Sequence, residues 1–100
     1  IMKKGDIVSV VAMSGEYVGE FVSNDNGLTI ANPKMIVNSP NGGMGFSKGV
    51  AVTGEENPPS MTFSTYVFVV PSSEKIAEAH TSAVIGEPLI QAPAEKKIIT

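Results

Sequence analysis

His80 is the only histidine in a chain of 100 residues that has no cysteine. Those two facts remove much metal and nucleophilic chemistry. A metal pair on a helix needs a second ligand three or four residues along, where Ala83 and Val84 stand. Without cysteine there is neither a disulfide framework nor a thiolate zinc site, and the redox compartment is unreadable. Glu55 and Glu56 are adjacent in a proline-flanked loop, which suits solvated charges better than an acid/base pair. Residues 41–45 are glycine-rich, but no Lys-Ser/Thr follows at the spacing that cradles phosphates. Met13, Met35, Met44 and Met61 are the flexible gap-fillers of a core or an interface. No catalytic set, metal set or cofactor motif converges, so the expectation is a protein that is not an enzyme and holds no cofactor. What remains is Asn24, Asp25 and Asn26, whose amides and carboxylate match the edge of a nucleobase; the plainer reading is turn chemistry alone.

Charge narrows the partners further. All seven basic residues are lysine, arginine is absent and the net charge is −3. A broad phosphate-binding groove needs a basic face, and arginine is the better bidentate phosphate partner. A single small site is still compatible with this balance. Lys3 and Lys4 before an apolar run resemble a signal peptide, but Gly5 and Asp6 interrupt it and the run is too short. No stretch approaches the ~20 apolar residues of a membrane-spanning helix. Ile1 precedes Met2, which reads as the natural start.

The elements that would carry these residues are mostly strands. The length suits one domain, and 42% hydrophobic against 17% charged residues suits a globular one. Abundant valine and isoleucine with frequent Gly and Pro favour an all-β fold. The stretch 5–37 reads as a meander of three strands. The first spans 6–13, with apolar residues on both faces, and turns at Ser14 and Gly15. The second spans 16–23 and carries Gly19 mid-strand, where glycine signals a sharp bend or a close backbone approach. A polar turn at 24–27 leads to the third strand from Leu28, which Asn32 and Pro33 interrupt before it resumes over 34–37.

A mobile loop over 39–45, a short strand over 46–53 and a second loop over 54–60 follow. The strongest strand is 61–70, which has no charge. An open edge strand normally carries a guarding lysine, so this one is expected to be central or paired with another chain. Pro71 ends it. Ser72 or Ser73 then caps a helix over about 72–85, with Glu74 in its first turn and Gly86 as its stop. Residues 1–86 thus form the domain and 87–100 an extended tail.

The order of strand, Ser-Gly turn, glycine-bearing strand, Asn-Asp turn and strand resembles the first segment of Sm-like proteins, the family that includes Hfq. Gly19, Glu20, Phe21, Val22, Ser23, Asn24 and Asp25 match that segment in spacing. Val69, Val70, Pro71 and Ser72 look like the end of the last strand in Hfq. The combination also resembles small proteins of T4-like cyanophages, which implies the cytoplasm of a phage-infected or bacterial cell.

The resemblance implies an all-β, five-stranded, strongly bent open barrel of SH3-like type, here with a C-terminal helix. It also implies homo-oligomeric rings of about five to seven subunits, in which the fourth strand of one subunit pairs with the fifth of the next. The oligomer-interface candidates are Phe63, Tyr66, Val67, Phe68 and Val69, and the RNA-binding candidates are Asn24, Asp25 and Asn26. Three departures weigh against tight RNA binding. The helix follows the strands instead of preceding them, no aromatic residue follows Asp25, and Val70-Pro71 stands where Arg-Gly is usual. The leading reading is a ring-forming Sm-like protein with at most weak binding of single-stranded RNA. The rival is a structural or protein-interaction ring with no nucleic-acid role, and neither involves a membrane.

Overall fold

Alternating apolar residues at Val8 and Val10, at Tyr17, and at Leu28 and Ile30 give the first three strands one face to bury together. The computed structural model, which describes residues 2–47 and 49–85, builds the protein around that face. Strands β1 (Ile7–Ala12), β2 (Gly15–Ser23) and β3 (Leu28–Asn38) form an antiparallel meander. The first hairpin turns at Met13 and Ser14, one residue earlier than the sequence suggested, because Gly15 already pairs with Ala12. Beyond the meander come β4 (Met44–Ser47), β5 (Ser60–Phe63), β6 (Phe68–Pro71) and the helix α1 (Glu74–Ile85). The sheet runs β4-β3-β2-β1-β6, with β5 also paired to β3. The all-β expectation with one C-terminal helix therefore stands, with six strands among the described residues and not five.

Gly19 does what its position in β2 promised. The register between β2 and β3 shifts at this residue. A Cβ on Gly19 would lie 2.9 Å from the Ala31 carbonyl oxygen and 2.8 Å from Ile30 Cδ1. Bend and close approach thus coincide. Asn32 and Pro33 bend β3 without ending it: Asn32 takes φ +50° and Pro33 is buried. The bend divides the outer edge of β3 between two partners. Leu28–Ala31 pairs with β5, and Met35–Asn38 pairs with β4.

Two strand expectations need correction. The strand expected over 46–53 lies earlier, at Met44–Ser47, and residues 49–59 form a loop. The stretch read as a mobile loop contains a hydrogen-bonded turn: Ser39 N donates to the Gly43 carbonyl at 2.8 Å and Gly43 N to Ser39 Oγ at 3.1 Å. That turn returns the chain to pairing by Met44. The long strand expected over 61–70 is two strands. β5 pairs with β3 and β6 with β1, so residues 64–67 carry the chain from one edge of the meander to the other. The alternation breaks at this crossing: Phe63 is buried, Tyr66 packs against the core, and Val67 is exposed.

The core combines Val8, Val10, Tyr17, Leu28, Ile30 and Phe63, with Tyr17 and Phe63 in an edge-to-face pair at 5.3 Å between centroids. Ser73 caps α1, its Oγ accepting from Ile76 N at 3.3 Å. Ser72 instead joins Ser9, Oγ to Oγ at 2.7 Å, and its amide donates to the Ile7 carbonyl, which ties the helix start to β1. The expected helix stop at Gly86 and the tail over 87–100 lie outside the described residues. No helix among the described residues is long and apolar enough to cross a membrane.

Gly19→Val should destabilise the fold by more than the ~1 kcal/mol span of strand propensities, which alone would favour valine. Chemical denaturation monitored by circular dichroism checks this; an unchanged midpoint would mean that Ile30 and Ala31 yield without cost.

Candidate functional site

The polar turn between β2 and β3 is exposed at Asn24, Asp25 and Asn26. Gly27 closes it at φ +100°, and a Cβ there would strike the Phe63 carbonyl oxygen at 2.8 Å. The turn is therefore pressed against the end of β5. Asn24 Nδ2 donates to the Tyr66 hydroxyl at 3.0 Å. Tyr66 belongs to the crossing between β5 and β6, 42 residues further along. An aromatic ring missing next to Asp25 in sequence thus reaches the turn from elsewhere. Only the crossing of 64–67 brings it there, so no local motif could have announced it.

The residues named as interface candidates separate into two groups. Phe63 is in the core, and Tyr66 and Val69 pack against it. Val67 and Phe68 remain open to solvent, at 62% and 49% exposure, and Val70, at 45%, joins them. β6 pairs with β1 on one side, and among the described residues nothing pairs on its other side. Its outer edge therefore combines unpaired backbone groups with apolar side chains and no charge, the arrangement that monomeric proteins normally guard against.

His80, on α1, is fully buried. Its Nε2 lies 2.7 Å from the Asn32 carbonyl oxygen, and because a carbonyl only accepts, Nε2 carries the proton. Among the described residues Nδ1 has no hydrogen-bond partner in its buried position. The ring meets Phe46 edge-to-face at 6.1 Å. Among the described residues no serine or carboxylate joins these contacts, and the histidine acts as a bolt between α1 and the bend of β3.

The expectation that no nucleophile-elbow pattern occurs needs correction: Gly45, Phe46, Ser47, Lys48 and Gly49 have the Gly-x-Ser-x-Gly spacing. The elbow needs a strand, a sharp turn and a helix. Here β4 leads into the loop that runs on to Pro59, and Ser47 Oγ donates to the Gly49 carbonyl at 2.9 Å. The spacing exists without its context. Glu55 and Glu56 are exposed at the rim of a depression of about 490 Å³ that Tyr17, Met35 and Val50 floor. Among the described residues no group of three His, Cys, Asp or Glu side chains could hold a metal ion.

Lys34 is the least expected feature. It sits on β3 just past the bend and is only 7% exposed. Nζ donates to Asn57 Oδ1 at 2.6 Å, and among the described residues no carboxylate pairs with it. Burial alone holds its ammonium below the ordinary lysine range. In sequence it was one more charge in a resumed strand.

No family model matches the chain, and neither the curated proteins nor the solved structures searched contain a match to it.

The burial of Lys34 sets a pH dependence. Its folded-state pKa is below the unfolded value of 10.5, so between the two the unfolded chain binds more protons. Stability contributed by this residue therefore rises as pH climbs from the lowered pKa toward 10.5, and is lost as pH falls back through it. Denaturation midpoints of the wild type and Lys34→Met, followed up to about pH 10, should converge toward alkaline pH relative to neutral pH. A constant gap between them would show that the ammonium is as well solvated folded as unfolded.

Proposed function

We propose that the chain is an Sm-like, bent open barrel that assembles into a closed homo-oligomeric ring and touches single-stranded RNA weakly, by its bases more than its phosphates. The observation that carries this reading is the outer edge of β6. Exposed Val67, Phe68 and Val70 and the unpaired backbone make an adhesive strip with no guarding charge. The opposite side of the sheet ends in the short strands β4 and β5. Pairing β6 of one subunit with β5 of the next uses two different surfaces, so it propagates head to tail, and such contacts must close to avoid a filament. A ring of about five to seven subunits satisfies that requirement. The crossing of residues 64–67, which links the two edges within one chain, supports the bent-barrel form.

The RNA part of the reading is supported by Asn24 and Tyr66. Their 3.0 Å contact pairs an amide with an aromatic ring beside the exposed Asp25 and Asn26. Such a group can stack on a base and bond its edge, and repetition around a ring multiplies weak contacts. The absence of arginine and the net charge of −3 favour a second reading, a protein-interaction ring with no nucleic-acid role.

Light scattering at micromolar concentration should show an assembly several times the 10.4 kDa subunit, and Phe68→Lys should return it to the monomer with its circular dichroism intact. Val69 is unsuited to this test because it packs against the core. A wild type that is monomeric throughout would overturn the ring.

Titrations of oligo-U and oligo-A at two salt concentrations address the RNA contact. Weak binding with a shallow salt slope, lost in Tyr66→Ala, is expected. Nanomolar affinity with a steep slope would mean phosphate-dominated binding, and no binding at all would leave the protein-interaction ring.

A further inference from the structure

We propose that Lys34 and Asn57 form a binding site for a small organic monocarboxylate. The two residues line a cavity of about 210 Å³ together with Phe46, Ser47 and Ala83. The cavity lies where the second half of α1 passes β4 and the bend of β3. It is separate from the β6 edge and from the turn at Asn24.

Lys34 carries a charge that no carboxylate among the described residues compensates. A buried ammonium is stable when opposite charge and hydrogen bonds replace its water. Among the described residues Lys34 uses one of its three donor hydrogens, toward Asn57 Oδ1 at 2.6 Å. Because Oδ1 is committed to the lysine, the Asn57 amide offers its Nδ2 hydrogens beside it. Asn57 is itself held at φ +53°, in the left-handed region that asparagine tolerates better than most residues. The result is two adjacent donor groups, one charged and one neutral, and among the described residues neither side chain makes a further hydrogen bond.

The donor set selects the ligand class. One cation and one amide match the two oxygens and single charge of a carboxylate. A phosphate dianion would need further donors, and the neighbouring hydroxyl of Ser47 already donates to the Gly49 carbonyl. The remaining lining, the Phe46 ring and the Ala83 methyl group, is apolar and suits a short hydrocarbon body. The volume is below the ~300–1,000 Å³ of drug-sized sites, which limits that body to a few carbons. A bound acid would touch both α1 and the sheet, and so would fasten the helix as well as neutralise the lysine.

Backbone-amide NMR of the full chain, titrated separately with butyrate, 1-butanol and inorganic phosphate, tests this. Butyrate should shift the amides of Ser47, Asn57 and Ala83 saturably in the millimolar range, whereas butanol and phosphate should not saturate. Lys34→Met should weaken butyrate by about tenfold or more, the loss expected of a charge-assisted hydrogen bond. Asn57→Asp supplies a carboxylate from within the chain; it should abolish the butyrate response and raise the melting temperature. This second variant carries the test if Lys34→Met fails to fold. Wild type that does not saturate, a butyrate response unchanged in either folded variant, or phosphate saturating below butyrate would each overturn the assignment.

Discussion

The backbone of Asn32 holds three parts of the molecule together. Its amide donates to the Pro59 carbonyl at 2.8 Å, which anchors the start of β5. Its carbonyl accepts from His80 Nε2 at 2.7 Å, which anchors α1. Its side chain donates to Glu20 Oε2 at 3.2 Å, which crosses to β2. These groups converge only because Asn32 leaves the strand conformation, at φ +50°, where asparagine is among the more tolerant residues. Ordinary pairing at this point would have used the same amide and carbonyl within the sheet. The departure frees them for the loop and the helix, and Gly19 makes it possible by letting the Ala31 carbonyl approach β2 without a Cβ in the way.

The same bend determines which surfaces remain open. Because β3 changes partner at Asn32, its outer edge accommodates two short strands instead of one long one. β5 then ends early enough for residues 64–67 to turn across to β1, where Val67 N donates to the Val11 carbonyl at 2.7 Å. That crossing has two consequences: it places Tyr66 against Asn24, and it leaves β6 as a terminal strand with apolar residues outward. The polar end and the exposed apolar edge are thus products of one backbone route.

How much of this was readable depends on whether the cause was local. Gly19, the polar turn at 24–27, the interruption at Asn32 and Pro33 and the serine cap of α1 each act through their own backbone, and each was visible in the residues. The division of 61–70 was not. Nothing in that stretch breaks a strand; no glycine, proline or charge occurs before Pro71. The break comes from the need to reach β1 after pairing with β3, a tertiary requirement that overrides β-propensity. The register of β4 was lost for a related reason: the glycines of 42–45 read as flexibility, whereas Ser39 uses them to close a turn. The Gly-x-Ser-x-Gly spacing at 45–49 illustrates the converse, a pattern present in the letters whose chemistry depends on a helix that does not follow. Lys34 became distinctive only once His80, 46 positions later, fixed α1 beside it.

A lysine whose side chain is largely covered and whose ammonium has one neutral acceptor is costly to the extent that its water is removed, because an amide offsets that loss only in part. An apolar residue would stabilise that position more, and the proposed carboxylate would answer that cost. Its location excludes the open edge as the compensating partner: Lys34 pairs with Val18 in β2, which pairs with Ser9 in β1, and β6 lies beyond that. In the proposed head-to-tail ring the β6 contact approaches from the opposite side of the meander, and the β5 contact borders Leu28–Ala31, the half of β3 before the bend. The charge at Lys34 and the apolar strip at Val67, Phe68 and Val70 answer separate demands, so a change that removes one should leave the other intact.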